Sequence, residues 1–275
     1  MCFLQFGPFW PEGGNHALLH RERPGALRAY VEKKMTTGAA ASSTGTASTT
    51  HHLDPCLTYT PRPLSRGQRS RQEVFVYHSP RNRRVVTVAD GANFAMALLL
   101  EFDSSIRLYV ERPRQIQLNP KTRIDLSFWS RTADGEDRFH LLVPAARTAR
   151  SSSGAVMLPD REELLEVGSR NGVYLTFLDE AELMSRVSQV AAAYELLPLV
   201  WASERIATRA VIAQQVTAFL EIADRRGLAD MVSVLPYPQA QTRATVAWLI
   251  HQGIVRLIDH SPGASDCVLE LCRGE

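Results

Sequence analysis

A single stretch, Thr122-Arg-Ile-Asp-Leu-Ser-Phe-Trp-Ser130, decides the fold. Its apolar and polar side chains alternate from Ile124 onward, which predicts a strand with one buried face. Ala133-Asp-Gly135 predicts a tight turn, and Phe139-His-Leu-Leu-Val-Pro144 predicts the second strand of a hairpin. The first strand carries Asp125 on its polar face, whereas the second strand carries neither an acid nor a lysine. The two predicted strands, Thr122–Ser130 and Phe139–Pro144, therefore offer a single carboxylate between them.

Segments typical of strands and of helices alternate around this hairpin. Short β-branched or aromatic runs predict strands, and apolar or amphipathic runs predict helices. The predicted strands are Glu73–Tyr77, Arg84–Val88, Ile106–Glu111, Gln115–Leu118 and Val173–Phe177, and the predicted helices are Gly91–Phe102, one opened by Pro159 and one from Asp179 to about Tyr194. The interleaved order predicts an α/β domain over residues 59–197.

Pro198 predicts the boundary of a second domain, residues 198–275. Helical periodicity and helix breakers predict three helices followed by a pair of strands. These elements are Ala202–Arg226, ended by Gly227, then Leu228–Leu235 and Gln239–Gln252, then Ile254–Ile258 paired with Cys267–Leu271. Three helices and a hairpin in this order predict a winged helix-turn-helix domain.

The third of these helices would be the recognition helix of such a domain. Its first turn carries Gln239, Gln241, Thr242 and Arg243, whose side chains suit base edges or phosphates. Winged helices also dock on proteins. DNA binding by Gln241 and Arg243 and docking on a protein are therefore both open predictions.

Residues 1–58 predict a disordered N-terminal extension. Prolines and glycines interrupt its first part, and Thr36–Thr50 contains only Gly, Ala, Ser and Thr, which leaves too little apolar surface for a core. A short helix over Ala26–Lys34 is predicted there, and Met35 is a second candidate for the natural start.

The composition is that of an ordinary globular protein. A hydrophobic share of 45% and a charged share of 22% suit a chain of 275 residues with two modest domains. The four cysteines form no metal-ligand pattern and fit a reduced cytoplasm, which argues against a zinc module. No apolar stretch approaches membrane-spanning length, and Met1–Trp10 lacks the basic region of a signal peptide.

The net charge of +2 hides a strongly basic segment. Seven arginines lie between positions 62 and 84 against one acid, Glu73; they are Arg62, Arg66, Arg69, Arg71, Arg81, Arg83 and Arg84. Such a local excess of positive charge predicts contact with a polyanion such as DNA. The alternative interpretation is a solvated, mobile arm.

A strand acid beside a second strand is part of the layout of metal-dependent nucleases. Hydrolysis of a phosphodiester needs carboxylates that hold divalent ions, and these ions polarise the phosphate and activate water. Nucleases of the restriction-endonuclease type take one acid from a helix, one from a strand, and an acid-x-lysine pair from the next strand, where the spacing puts both side chains on one face. This hairpin supplies only the strand acid, Asp125.

Six short motifs occur in a characteristic order along residues 62–259. They are Asn93-Phe-Ala-Met-Ala-Leu-Leu-Leu-Glu-Phe-Asp103, Val110-Glu-Arg-Pro113, Arg123-Ile-Asp-Leu126, Asp134-Gly135, the stretch 172–183 and the stretch 246–259. In this order and spacing they resemble TnsA-type endonucleases, the subunit that cuts one transposon strand in heteromeric bacterial transposases. The resemblance implies a restriction-endonuclease-like mixed sheet flanked by helices, followed by a C-terminal winged-helix domain.

The departures from that family concern the catalytic residues. Asn93 stands where the family has its helix glutamate, whereas the strand aspartate is kept as Asp125. The acid-x-lysine pair falls on Phe139–Pro144, which contains neither residue type. Asparagine is a weak, neutral ligand, and one carboxylate does not hold Mg²⁺ as such sites require. The resemblance therefore implies a catalytically inactive member in which Asp125 is vestigial and no metal or cofactor is needed, with Mg²⁺ required only if activity persists.

Other acids could take over the lost positions. Glu101, Asp103 and Glu111 are available, but Glu101 is offset by about 80° from Asn93 around a helix, which favours a structural role. An active metal-dependent endonuclease with a rearranged site is therefore one alternative. A DNA-binding regulator unrelated to transposition is the other.

The resemblance also implies partners. They are transposon-end DNA, a transposase of the DDE family and an AAA+ ATPase regulator, with no membrane, in the bacterial cytoplasm at the nucleoid. In such a complex the chain would bind DNA and bridge the transposase and the ATPase. Without cutting of the second strand, transposition would yield cointegrates unless another subunit cuts.

Overall fold

The computed structural model describes residues 20–22, 58–119, 121–144, 149–150, 156–157, 160–259 and 267–272. Most of the predicted disordered extension lies outside these ranges, as do the helix predicted over Ala26–Lys34 and the alternative start at Met35. The exception is His20–Glu22, which forms a short strand paired with residues 74–76. The sequence did not predict this strand.

The backbone divides into two compact units between Arg186 and Val187. The sequence placed this boundary at Pro198, which instead lies inside a helix that begins at Val187. A proline within a helix removes one backbone hydrogen bond, and here the helix continues past it to Ser203. Pro198 is therefore part of the second unit and not its border.

The first unit is a mixed α/β structure, as predicted. Its strands are β1 (His20–Glu22), β2 (Val74–Ser79), β3 (Arg84–Ala89), β4 (Ile106–Glu111), β5 (Gln115–Asn119), β6 (Thr122–Asp125), β7 (Phe128–Thr132), β8 (Asp137–Val143), β9 (Ala149–Arg150), β10 (Val156–Met157) and β11 (Leu175–Asp179). Its helices are α1 (Arg66–Arg71), α2 (Gly91–Phe102), α3 (Arg161–Arg170) and α4 (Glu180–Ser185).

A four-stranded sheet forms the centre of this unit, in the order β11-β8-β7-β4. β4, β7 and β8 are antiparallel neighbours, whereas β11 runs parallel to β8 and follows it through α3. One apolar core contains Trp129 and Phe139 from the sheet together with Leu164 of α3. β5 and β6 form a separate hairpin beside this sheet, and β1, β2 and β3 form a third small sheet.

The stretch that decides the fold is divided between two of these sheets. β6 pairs with β5, whereas β7 pairs with β4 and β8, so the predicted single strand is interrupted at Leu126 and Ser127. The backbone N–H of Leu126 donates to Arg114 O at 3.1 Å, and that of Ser127 donates to His140 O at 2.9 Å. The predicted alternation is confirmed, since Ile124, Leu126 and Phe128 are buried while Asp125 is exposed.

The second unit begins with two helices and continues with an alternation of strands and helices. Its elements are α5 (Val187–Ser203), α6 (Arg209–Ala223), β12 (Arg225–Gly227), α7 (Leu228–Val234), α8 (Gln239–His251), β13 (Val255–Asp259) and β14 (Val268–Leu271). β14 lies between β12 and β13 and is antiparallel to both. Apolar residues of α6, α7, α8 and this sheet form one core.

Two of the predicted helices differ from those in the structure. The helix expected from Asp179 to Tyr194 is two helices, α4 and α5, because the chain turns at Arg186. Asp179 does cap the first of them, with its carboxylate accepting from Glu182 N at 2.7 Å. The helix expected over Ala202–Arg226 spans Arg209–Ala223, because Ala202 belongs to α5 and Gly227 belongs to β12. Among the described residues, no helix is long and apolar enough to cross a membrane.

Candidate functional site

A cavity of about 130 Å³ lies between α1, α2 and the segment that joins β6 to β7. The residues around it include Leu64, Gln68, Asn93, Arg112, Asp125 and Ser127. The structure therefore brings together Asn93 and Asp125, to which the resemblance assigns the helix position and the strand position of one site.

Asn93 is held by the residue that caps its own helix. Asp90 is the N-cap of α2, and its Oδ1 accepts from the backbone N of Asn93 at 2.8 Å. The side-chain Nδ2 of Asn93 donates to both carboxylate oxygens of Asp90, at 3.1 and 3.0 Å. Asn93 therefore completes a helix cap and brings an amide to the cavity where an active nuclease would need a carboxylate.

Asp125 is the last residue of β6 and forms an ion pair with Arg62. The side chains are 53% and 40% exposed, so water screens the pair in part. Arg62 comes from the basic segment that the sequence predicted to bind DNA. In the structure, the one carboxylate that the resemblance keeps from a catalytic site is thus neutralised by an arginine of the same chain.

β8 runs beside the cavity but adds no ligand to it. Ser127 N donates to His140 O at 2.9 Å, and Leu142 N donates to Ser127 Oγ at 3.0 Å. His140 and Leu142 have the spacing of an acid-x-lysine pair, and neither is an acid or a lysine. Asp137, at the start of β8, forms an ion pair with Arg131.

His140 is buried and uncharged at neutral pH. Its Nε2 lies 2.7 Å from Ser130 Oγ, and burial, assisted by the charge of Arg138, lowers the pKa of His140 to about 4. A neutral imidazole that is already bonded to a serine packs into the strand layer. It is therefore poorly suited to serve as a base or a metal ligand for the cavity.

The acids considered as replacements lie elsewhere. Glu101 is fully buried and accepts from Ser79 Oγ at 2.5 Å, from Tyr109 Oη at 2.7 Å and from Arg81 N at 2.9 Å. Burial raises the pKa of Tyr109 well above its usual value, which keeps its hydroxyl a donor. These hydrogen bonds indicate a structural role for Glu101.

Glu111 and Asp103 also have local partners. Glu111 is buried on β4, where the guanidinium of Arg84 contacts both of its carboxylate oxygens. Asp103 accepts from the backbone N of Ser105 at 2.9 Å, directly after α2. Among the residues that the structure describes, no group of three or more His, Cys, Asp or Glu side chains could hold a metal ion.

The seven arginines of the basic segment fall into two sets. Those with internal partners are Arg62, which pairs with Asp125, Arg84, which pairs with Glu111, and Arg81, which donates to the carbonyl oxygens of Glu101 and Ile106. Those with exposed side chains are Arg66, Arg71, Arg83 and Arg69, although Arg69 Nε also donates to Leu64 O at 3.0 Å. The exposed set includes every arginine of α1.

Arg112 is a residue at the cavity that sequence reasoning missed. It is half-buried, and it donates Nε to Arg62 O at 2.8 Å and Nη1 to Thr87 O at 2.7 Å. Burial lowers the pKa of Arg112, although Glu111 counteracts this. The signal that could have identified it is its place in the Val110-Glu-Arg-Pro113 motif.

The backbone is strained at two points beside the cavity. Asp90 has a φ of 66° and Arg112 a φ of 47°, both in the region that favours glycine. Such conformations persist only where the surrounding structure holds them, and they occur preferentially at functional sites. The cavity thus has a local mark of function besides its residue types.

The residues predicted to read DNA in the second unit lie at the start of α8. Gln239 is exposed, Gln241 and Arg243 are half-buried, and Thr242 is fully buried. Farther along α8, the face opposite the unit's core carries Ala244, Ala247 and His251, which are also buried because α5 packs along this helix. The middle of α8 is therefore covered on two faces.

Comparisons with known proteins add no identity. No protein-family model matches the chain, and a search of curated proteins found no match.

Proposed function

We propose that this chain is a TnsA-like, catalytically inactive subunit of a multi-protein DNA transposition complex. The observation that carries the proposal is that Asn93 and Asp125 line one cavity. The resemblance assigns to these two positions the helix glutamate and the strand aspartate of a nuclease site. The strained backbone at Asp90 and Arg112, of a kind that is frequent at functional sites, lies beside the same cavity.

The connectivity of the first unit supports a restriction-endonuclease-like fold. A helix, α2, precedes the antiparallel strands β4, β7 and β8, and then α3 leads to β11 parallel to β8. In this order α2 and the segment that joins β6 to β7 face the cavity, and β8 is hydrogen-bonded to that segment. Metal-dependent nucleases of this type take their acids from a helix and two neighbouring strands.

The side chains around the cavity support the loss of catalysis. Mg²⁺ takes oxygen ligands in near-octahedral geometry and usually binds through carboxylates. Here Asn93 offers an amide that is bonded to its own cap, and Asp125 is paired with Arg62. The one acid of β8, Asp137, is paired with Arg131, and the strand has no acid at His140 or Leu142 beside the cavity. The residues present therefore do not fit a catalytic metal ion.

The second unit supports the proposal of a winged-helix domain. The order α6, β12, α7, α8, β13 and β14, with β14 between the other two strands, is the arrangement expected for three helices and a wing.

The surface of the second unit favours docking on a protein over the recognition of DNA bases. The middle of α8 is buried, and residues 187–259 and 267–272 contain six arginines and no lysine against seven acids. DNA-binding domains normally have an excess of positive charge on the contacting face. In the proposed complex, the first unit contacts DNA through its exposed arginines, and the second unit docks on the DDE transposase or the AAA+ ATPase.

A cleavage and binding assay on transposon-end DNA tests the proposal. The full chain, alone and with a DDE-family transposase, is incubated with labelled end DNA in Mg²⁺, Mn²⁺ or EDTA. We expect the chain to bind DNA or the transposase and to cut no strand. Asp125→Ala serves as the matched variant.

Two results would oppose the proposal in different ways. Cleavage that needs a metal ion and disappears in Asp125→Ala would establish an active nuclease with a rearranged site. Binding to neither the end DNA nor the transposase would contradict a role as a transposition subunit. A regulator unrelated to transposition would then be the remaining interpretation.

A further inference from the structure

The segment that leads into α1 is fastened to the first unit by its side chains. Tyr59 packs edge-on against the buried ring of Trp129, with ring centroids 5.2 Å apart. Leu64 is buried and forms part of the cavity wall. These contacts bring the basic segment to the cavity that contains Asp125.

Arg62 is the point at which this segment reaches the carboxylate. Its backbone N donates to Arg112 O at 3.2 Å, and Arg112 Nε donates back to Arg62 O at 2.8 Å. The backbone N of Arg112 in turn donates to Ser127 O at 2.8 Å. This chain of bonds holds Arg62 opposite Asp125, so that Nη1 of Arg62 donates to Oδ1 of Asp125.

α1 begins a few residues later and presents exposed arginines. Ser65 caps the helix, and a reciprocal bond from Gln68 completes a capping box. Arg66, Arg69 and Arg71 are all exposed on this helix. Guanidinium groups bind phosphate oxygens with paired hydrogen bonds, so a helix with three of them fits the backbone of a nucleic acid.

We propose that Asp125 is a positioning residue that anchors α1, and that the anchored helix binds the phosphate backbone of duplex DNA. The carboxylate that would hold a metal ion in an active relative holds the guanidinium of Arg62 here. The site has thereby changed from metal binding to the docking of a DNA-binding helix. The DNA part of this inference rests on the proposed function, whereas the anchoring of α1 does not.

Two substitutions that each remove one negative charge distinguish the loss of the anchoring ion pair from the effect of a changed net charge. Asp125→Asn breaks the pair with Arg62. Asp134→Asn is the control, because Asp134 is exposed in the turn between β7 and β8, and Asn-Gly suits such a turn as well as Asp-Gly does. Both variants are compared with the wild type as full chains, in EDTA and again in Mg²⁺.

Amide hydrogen exchange of residues 60–72 is the first readout. We expect exchange in Asp125→Asn to rise by about fivefold, as the loss of one partly exposed ion pair allows, and exchange in Asp134→Asn to stay at the wild-type rate. The Arg62→Asp/Asp125→Arg double variant should recover protection that each single variant loses. A metal site could not be restored by such an exchange of charges.

The salt dependence of binding to a duplex oligonucleotide is the second readout. Each phosphate contact contributes about 0.9 to the slope of log affinity against log salt. We expect the slope to decrease by up to about 3 × 0.9 in Asp125→Asn and to stay unchanged in Asp134→Asn. A merely structural role of Asp125 would not change this slope.

The possible results distinguish this inference from the proposed function. Equal exchange and equal salt slopes in the two variants, with DNA binding intact, would overturn the anchor alone. An effect of Asp125→Asn that occurs only with Mg²⁺ present would also overturn it, in favour of a metal ligand. Failure of the wild type to bind DNA in EDTA would overturn the proposed DNA contact and, with it, the phosphate partner named here.

Discussion

Asn93 donates its side-chain amide to both carboxylate oxygens of Asp90, at 3.1 and 3.0 Å. The residue that the resemblance aligns with a nuclease's helix glutamate is thus part of the cap of its own helix. The same cavity contains Asp125 in an ion pair with Arg62. A substitution that restored a carboxylate at Asn93 would leave Asp125 paired with Arg62.

We therefore predict that Asn93→Glu does not create a metal site. The new carboxylate would lie near Asp90, Asp125 would still be paired with Arg62, and β8 would still have no acid at His140 or Leu142 beside the cavity. Isothermal titration with Mn²⁺ should detect no saturable binding. The variant should also lose about 1 kcal/mol of stability, because it lacks the hydrogen bonds that the side-chain amide of Asn93 donates to the carboxylate of Asp90.

Asn93→Gln is the control for this substitution, because it keeps an uncharged amide at the same position. If Asn93→Glu bound Mn²⁺ and lost this binding on addition of Asp125→Asn, a single residue would separate the present chain from a metal-binding one. The proposed pairing of Arg62 with Asp125 would then be too weak to exclude a cation.

The sequence was sufficient to predict the helix that carries Asn93 and the alternation around Asp125, although the single strand predicted there is two strands, β6 and β7. The alternation of buried residues at Ile124, Leu126 and Phe128 marks the strand face directly, and Asp179 is found as the helix cap that its residue type indicates. These features are local, so a few neighbouring residues determine them.

The partners of the charged residues could not be predicted in the same way. Arg62 and Asp125 are separated by 63 positions, and their pairing depends on how the β5–β6 hairpin lies beside the segment before α1. Arg84 counted as a surface cation in the sequence but forms a buried pair with Glu111. A run of arginines shows charge, whereas the number that face solvent is decided by tertiary packing.

The buried Glu101 should be essential for the stability of the first unit. Glu101→Ala leaves Ser79 Oγ, Tyr109 Oη and Arg81 N without their acceptor, and we expect a loss of roughly 3 kcal/mol or more. Urea unfolding measures this loss. Asp103→Ala, which removes an exposed acid after the same helix, should cost at most about 1 kcal/mol.

A migrated metal ligand would behave differently from a structural acid. If Glu101 belonged to a rearranged active site, Glu101→Ala would abolish metal-dependent cleavage and leave the free energy of unfolding nearly unchanged. That pattern would contradict the assignment of Glu101 to the buried network.

His140 should make the chain less stable as the pH falls. Its pKa is about 4 in the folded state against 6.5 for an unperturbed histidine, so the unfolded chain takes up a proton first. The contribution of His140 is complete above pH 6.5 and is lost as the pH falls through that value towards 4, by roughly 3 kcal/mol in all. Urea unfolding at a series of pH values between 7 and 4 measures it.

The matched variant is His140→Asn, which cannot titrate but retains a polar group towards Ser130. We expect its free energy of unfolding to fall less between pH 7 and pH 4, because the asparagine takes up no proton when the chain unfolds. An unchanged pH dependence would mean that His140 is protonated in the folded chain or that its ring reaches water.

The last prediction concerns the covered face of α8. Ala247 is fully buried and Ala240, two turns earlier on the same side of the helix, is exposed. Ala247→Leu should therefore lower the stability of the second unit by about 1–3 kcal/mol through overpacking, whereas Ala240→Leu should leave it nearly unchanged. Thermal unfolding of the full chain measures both variants. If this face were instead open to the major groove of DNA, Ala247→Leu would fold normally and weaken DNA binding, and the docking role proposed for the second unit would be wrong.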